Sequence, residues 1–158
     1  MHSSVKEAFR NVYDNLFSQK SSIAEIKASS PSAKNPGASP ADSPSSGTYF
    51  PNLFNTTNLD GSTPYTCQWF RIGNVVSVSG RVDVNPTAAG ATKLGISIPV
   101  PTNVQFVNQL AGVAACPTVA GEVAPIAGDT GNNRAQMSWV TTNTTNEAMF
   151  FTFQYLVN

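Results

Sequence analysis

The sequence predicts a mainly β protein: an antiparallel β-sandwich or jelly-roll knob that follows an N-terminal α-helix and a linker rich in proline and serine. Three observations predict this architecture. Apolar residues recur at helical spacing in residues 1–27, four prolines interrupt residues 28–47, and short alternating apolar and polar segments fill residues 48–158. We therefore expect an attachment helix at 1–27, an extended linker at 28–47 and a β domain at 48–158.

The predicted helix carries a heptad seam whose members follow one another at spacings of 4, 3, 4, 3, 4 and 3. Ser4 and Glu7 have the spacing of a capping box at its start. A helix of this length is marginal in water when isolated, so the seam needs a partner surface. We expect a trimeric coiled coil, with the polar Gln19 fixing its register, or docking on a larger assembly; packing back onto the β domain is the alternative. The attachment and trimerisation residues are Val5, Phe9, Val12, Leu16, Gln19, Ile23 and Ile26.

Residues 28–47 read ASSPSAKNPGASPADSPSSG. This composition cannot supply a hydrophobic core and is typical of an extended, partly polyproline-like spacer. We expect this linker to separate the predicted helix from the β domain.

Period-two alternation identifies the strands of the β domain. The clearest strand has Val76, Gly80 and Val84 on one face, and Gly73-Asn74 precedes it, so residues 66–84 are predicted to form a hairpin. Six or more further segments would give seven or eight strands in all. The last strand ends near the end of the chain, which favours a central position. Further strands are predicted around Leu94, Ile96 and Ile98, at 111–116, 122–126 and 135–140, and at 149–157, where Met149, Phe151, Phe153, Tyr155 and Val157 share a face.

Charge is balanced and concentrated near the N-terminus. Nine basic and nine acidic residues give a net charge of zero, and no basic run provides the electrostatic footprint of a nucleic-acid or anionic-membrane partner. No segment approaches the roughly 20 apolar residues of a bilayer span, and the N-terminus lacks the pattern of a secretory signal. We expect neither a nucleic-acid nor a membrane partner, and synthesis in a cytoplasm or export without a cleaved signal.

Cys67 and Cys116 lie too far apart in sequence for a CxxC redox pair and lack the companions of a zinc site. We expect buried free thiols, with a disulfide as the alternative.

The sequence contains few residues that could catalyse a reaction. The single histidine, His2, lies at the N-terminus, so the β domain has no histidine base for a nucleophilic site. The acidic residues of the β domain all lie in turn-like or alternating contexts. We expect no enzyme, no cofactor and no metal. Those acidic residues are Asp60, Asp83, Glu122, Asp129 and Glu147.

Several polar and aromatic residues could bind a ligand, but they could instead form turns or pack in the core or an interface. Residues 129–133, DTGNN, could offer oxygens to a hard cation, although the same residues favour a tight turn. Trp69 and Trp139 could stack on sugar rings, but a tryptophan within a strand more often packs in a core or interface. Exposed loops rich in Asn and Thr could hydrogen-bond a carbohydrate or be inert turns. The candidate binding residues are Asn85, Thr87, Asn132, Asn133, Asn143 and Asn146.

The segments YTCQWFRIGNVVSVSGRVDVNPT, LGISIPVPTN, LAGVAAC, GDTGNNRAQMSW and FFTFQYLV, between residues 65 and 157, resemble C-terminal domains of tailed-bacteriophage fibre and related virion proteins. The likeness lies in the pattern and order of strands. It implies a trimeric β-sandwich knob similar in shape to the C1q and tumour-necrosis-factor folds, at the virion surface of a protein made in the host cytoplasm.

The resemblance implies a trimer at the virion surface and is shared by tail fibres and capsid fibres. Our leading hypothesis is a short homotrimeric tail fibre, anchored to other virion proteins by its helix, whose knob recognises a host-surface glycan or protects the particle. A capsid decoration or head-fibre protein, which cements the shell or extends from it, is the alternative. A polysaccharide depolymerase is the third hypothesis, and the absence of a catalytic base in the β domain counts against it.

Overall fold

The computed structural model describes residues 44–158. The predicted helix and its seam residues, together with the linker up to residue 43, lie outside the described residues. Three residues that we assigned to the end of the linker, Ser45 to Gly47, belong to the first strand.

The described chain forms ten strands and one short 3-10 turn, Val107–Gln109, and every strand pair is antiparallel. The prediction of a mainly β, antiparallel domain is confirmed, whereas the sandwich or jelly-roll layering stays a prediction. The strands are β1 (Ser45–Tyr49), β2 (Leu53–Thr57), β3 (Leu59–Pro64), β4 (Cys67–Ile72), β5 (Val75–Pro86), β6 (Gly90–Ile96), β7 (Leu110–Ala115), β8 (Val123–Asp129), β9 (Arg134–Thr141) and β10 (Glu147–Leu156).

The strands follow the order β1-β4-β5-β10-β7-β8-β9-β6-β2, and β3 pairs with β5. β4 pairs with the first half of β5 and β3 with the second half, so β3 and β4 together follow β5 along its length. β2, at the far end of the order, contacts β3. The sheet therefore curls until its two ends approach each other, and the inward side chains form one core.

Two opposite ends of the sheet carry the connections. The β2–β3, β5–β6, β7–β8 and β9–β10 connections lie at one end, which we call the upper end. The β4–β5 and β8–β9 turns lie at the other, lower end.

The last strand, β10, lies between β5 and β7, which confirms its predicted central position. Its inward aromatic side chains form a row: the ring centroids of Phe151 and Phe153 are 5.8 Å apart, and those of Phe153 and Tyr155 are 6.2 Å apart. The Tyr155 hydroxyl donates to the Val100 carbonyl (3.0 Å) and accepts from the Val100 amide (2.9 Å). Burial raises the pKa of Tyr155 to about 12, so the hydroxyl keeps its proton and its role as donor.

Glycines on the neighbouring strands make room for this row. A Cβ at Gly112 on β7 would lie 2.2 Å from the Thr152 carbonyl oxygen and 2.4 Å from the Phe153 Cβ. A Cβ at Gly80 on β5 would lie 2.2 Å from the Cys67 sulfur. Both distances are far below van der Waals contact, so only glycine fits at these positions.

The β4–β5 hairpin confirms the clearest prediction from the sequence. Gly73 has a φ of +57° in its turn, a left-handed conformation that glycine adopts readily. The alternating valines of β5 are buried as expected, although Val75 at its start is exposed. The predicted strand around Leu94 is β6, but Ile98 lies beyond its end. β1, β2 and β3 were not predicted.

Both cysteines are free and buried, as predicted. Burial raises the pKa of the Cys67 thiol. The two tryptophans also follow the packing interpretation: Trp139 is buried in the core, and Trp69 packs against the core and over Gly47.

Asn58 joins two of the upper connections. It has a φ of +56° between β2 and β3, and its side-chain amide donates to the Ala88 carbonyl (2.7 Å) and to Thr92 Oγ1 (2.8 Å). Its side-chain carbonyl accepts from the Ala88 amide (3.0 Å) and from the Thr87 hydroxyl. This single side chain therefore fixes the β2–β3 connection against the β5–β6 connection.

Replacing Gly112 by Ala should lower the free energy of unfolding by about 2 kcal/mol or more, because the added methyl group collides with the backbone of β10. Gly131→Ala is the matched control, since the nearest atom to its Cβ would be Asp129 Oδ1 at 3.7 Å. Urea unfolding of both variants measures the difference. Equal stability of the two variants would contradict the proposed packing around β10.

Candidate protein-interaction face

The outer surface of five adjacent strands, β4, β5, β10, β7 and β8, is broad and carries charged side chains only at its borders. Cross-strand register aligns its side chains in rows, one of which runs Phe70, Ser77, Gln154 and Ala111 across β4, β5, β10 and β7. We call this surface the neutral face. Its members are Gln68, Phe70, Ile72, Val75, Ser77, Ser79, Ala111, Val113, Ala115, Val123, Pro125, Phe150, Thr152, Gln154 and Leu156.

Large apolar side chains on the neutral face are open to solvent. Phe70 is 49% exposed, Phe150 50% and Val113 45%. Contiguous exposed apolar surface rimmed by polar residues is typical of a protein-interaction site, and the centres of protein interfaces are depleted in charged residues. The chemistry of the neutral face therefore fits association with another protein surface that also lacks charge.

An ion pair borders the neutral face at the upper part of β5. Arg81 Nε and one of its terminal nitrogens donate to the Asp83 carboxylate at 2.8 and 3.0 Å, and the Tyr65 hydroxyl donates to the same carboxylate at 2.9 Å. The Arg81 guanidinium lies over the Tyr65 ring, 4.6 Å from its centroid. Burial acts to raise the pKa of Asp83, but the hydrogen bonds from Arg81 and Tyr65 and the charge of Arg81 lower it below its ordinary value. The carboxylate is thus neutralised locally and adds no net charge to this border.

A shallow groove of about 510 Å³ crosses the part of the neutral face next to β1. Hydroxyl and amide groups line it beside two aromatic residues. The lining residues are Ser46, Gly47 and Thr48 from β1, Gln68, Trp69 and Phe70 from β4, and Ser77 and Ser79 from β5. Uncharged hydrogen-bonding groups beside an aromatic ring suit a neutral polar ligand as well as a protein surface.

A second cleft, of about 330 Å³, lies at the lower end. The Arg134 guanidinium lies over the Phe54 ring (4.5 Å to its centroid), and Arg134 Nε donates to Asp129 Oδ2 at 2.8 Å. Burial acts to raise the pKa of Asp129, but hydrogen bonds from Asn132 and Arg134 lower it.

The structure separates the candidate binding residues into two groups. Asn85, Thr87, Asn143 and Asn146 lie near the upper end, whereas Asn132 and Asn133 lie in the β8–β9 turn at the lower end. A single ligand site cannot contain all six, because the two groups lie at opposite ends of the strands.

Most of these side chains already have hydrogen-bond partners. The Thr87 hydroxyl donates to Asn58. The backbone amide and the hydroxyl of Thr145 both donate to the Asn143 side-chain oxygen, at 2.8 and 2.7 Å. The Asn133 side-chain oxygen accepts from the Val104 amide at 2.9 Å. These contacts hold turns in place, and carbohydrate binding by these residues stays a prediction.

The turn interpretation of residues 129–133 is confirmed. Asp129 pairs with Arg134 across a tight connection between β8 and β9, and Asn133 has a φ of +51°. Within residues 44–158, no group of three or more His, Cys, Asp and Glu side chains lies close enough together to hold a metal ion. No helix in the same range is long and apolar enough to cross a membrane.

Comparison with known proteins yields one structural match. No family model matches the chain, and no curated protein sequence matches it. The structure of avian reovirus sigmaC117-326 matches with a TM-score of 0.45 and 11% sequence identity, covering 98% of this chain and 97% of that chain. A similarity at this level does not establish a shared function.

If the neutral face mediates self-association, placing a charge at its centre should weaken that association without unfolding the domain. Val113→Lys should raise the dissociation constant of the assembly about 10-fold or more, because an unpaired ammonium group would be buried at the contact. Sedimentation equilibrium measures this in a chain that lacks residues 1–27, so that the predicted helical seam does not contribute.

Val107→Lys is the matched control, because Val107 is also exposed (58%) but lies on the 3-10 turn outside the neutral face. It should associate as the parent chain does. If Val113→Lys also associates like the parent, the neutral face is not the contact surface.

Proposed function

We propose that this chain is a virion structural protein, a short homotrimeric tail fibre of a bacteriophage, with the β domain as its knob. The observation that carries the proposal is the neutral face, a surface of five strands that exposes aromatic and aliphatic side chains and presents no charge at its centre. Such a surface is costly to leave in water and favours a permanent structural assembly.

A second copy of the same chain is the partner that the neutral face suits best. An uncharged surface meets its own copy without like-charge repulsion, and closed rings of identical chains are the common form of such assemblies. The heptad seam predicted from Val5 to Ile26 would bring three chains together independently. The two features support the same trimer from different parts of the chain.

The N-terminal helix is then the attachment device to other virion proteins, and the predicted linker spans outward to the knob at the virion surface. Asn and Thr side chains near the upper end, including Asn143 and Asn146, offer uncharged hydrogen-bonding groups to a host-surface carbohydrate. The role is structural and binding rather than enzymatic. A capsid decoration or head-fibre protein is the second candidate, because an uncharged face also suits cementing contacts with a shell.

Deleting residues 1–27 should abolish incorporation into virus particles while the β domain stays folded, because the predicted attachment seam is removed. Immunoblotting of purified particles measures incorporation, and tryptophan emission of the purified chain, which includes the buried Trp139, reports folding. Deleting residues 28–43 instead is the control: it shortens the predicted spacer and should leave incorporation intact.

Particles that retain the chain lacking residues 1–27 would exclude the attachment role. Electron microscopy of particles with the labelled chain distinguishes the two candidates, since a tail location supports the fibre and a capsid location supports the decoration protein.

A further inference from the structure

Two glutamates are buried together beneath the upper connections. Glu122 immediately precedes β8 and is 5% exposed, and Glu147 begins β10 and is 2% exposed. Phe150 near the start of β10 pairs with Ala115 at the end of β7, so the β7–β8 and β9–β10 connections lie next to each other. Both side chains are buried beneath these adjoining connections, and the Glu122 carboxyl is near enough to Glu147 to raise its pKa.

Most of the carboxyl oxygens of this pair lack a partner. Trp139 Nε1 donates to Glu122 Oε1 at 2.7 Å. Glu122 Oε2 and both carboxyl oxygens of Glu147 are buried, and no donor reaches them in hydrogen-bond geometry, although the Asn143 side chain lies near Glu147. Two ionised carboxylates in this arrangement would be buried, adjacent and largely unsolvated, which is strongly unfavourable.

No basic side chain in the described range compensates the pair. The two ion pairs of residues 44–158 involve Arg81 and Arg134, each with an aspartate elsewhere. The elements around Glu147 contribute mainly uncharged groups. Val84 on β5 is the cross-strand partner of Glu147, and Trp139 on β9 and Asn143 in the β9–β10 connection lie near the pair. Beside Glu122 lies the Cys116 thiol, which hydrogen-bonds with Thr118.

A single proton removes the main cost of this arrangement. A protonated Glu147 can donate to Glu122 Oε2, which gives the first orphaned oxygen a partner and removes the second charge. Burial and the nearby Glu122 carboxyl both raise the pKa of Glu147, whereas the Asn143 side chain lowers it. A hard cation such as Ca²⁺ would need six to eight oxygen ligands, and these two residues leave three carboxylate oxygens unpartnered.

We propose that a protonated Glu147 donates a hydrogen bond to Glu122 and that this contact forms a pH-dependent latch, which holds the β7–β8 and β9–β10 connections. The latch connects to both: the Cys116 amide donates to the Glu122 carbonyl (3.0 Å), and the Glu122 amide donates to the Val119 carbonyl (3.2 Å). Glu147 directly follows the Asn- and Thr-rich segment 142–146. Loss of the proton separates the two carboxylates and loosens both connections.

The sign of the pH dependence follows from the direction of the shift. The pKa of Glu147 is raised above its ordinary value of 4.5, so the folded chain keeps a proton that the unfolded chain releases as pH rises above that value. The stabilisation is fully present at lower pH and is lost as pH rises through the folded-state pKa. Asp83 and Asp129, whose pKa values are lowered, produce the opposite slope only at more acidic pH.

Thermal unfolding of the full chain tests the latch. Between about pH 5 and about pH 8 the parent Tm should fall by roughly 3–6 °C. Glu147→Gln should remove this decrease, because its amide donates to Glu122 at every pH, and Glu122→Gln should do the same if the first variant does not fold. Asp60→Asn, an exposed carboxyl on β3, should keep the parent slope. A parent slope that persists in both glutamine variants would overturn the proposal.

Tryptophan emission and calcium provide a second readout. In a Trp69→Phe background, Trp139 is the single indole, and its emission should shift with pH in the parent sequence and stay constant with Glu147→Gln. Calcium at about pH 8 should leave the Tm unchanged. A calcium-dependent rise in Tm that Glu147→Gln abolishes would show that the pair binds a cation and would overturn the proposed latch.

Discussion

The row of aromatic side chains on the central strand, β10, needs space. The two neighbouring strands, β5 and β7, leave that space because they carry glycine beside the row. Phe151 and Phe153 on β10 lie between Gly80 on β5 and Gly112 on β7, and a Cβ at either glycine would overlap its surroundings. This constraint fixes the register of three strands, because a shift by one residue would move every inward side chain to the outer surface. The arrangement of the core and of the outer face depends on that register.

The neutral face is the outer consequence of the same register. With the large side chains of β5 and β10 turned inward, the outward positions are left to serine, threonine, glutamine, alanine and a few exposed aromatic and aliphatic residues such as Phe150 and Val113. Arg81 and Asp83, at the border, neutralise each other. One arrangement of strands thus produces a core that keeps the domain folded and a surface that suits contact with another chain.

The sequence predicts the parts of this structure that depend on local pattern. The β4–β5 hairpin follows from valine alternation and Gly73, and β10 follows from the alternation of Met149, Phe151, Phe153 and Tyr155. β1 was not predicted, because SSGTY carries no alternation and pairing with β4 determines its conformation. The neutral face depends on register across strands distant in sequence, although the absence of charge at outward positions of β7, β10 and the first half of β5 was a usable signal. The contact between Glu122 and Glu147 carries no sequence signal, because packing between two connections creates it.

We propose that the neutral face is buried between copies of this chain in the assembled protein. The most direct measurement is an experimental structure of the full-length protein in its assembled state, by crystallography or electron cryomicroscopy. We expect three chains, with Phe70, Val113 and Phe150 of each chain covered by a neighbouring copy. An assembly in which these three side chains face solvent would contradict it.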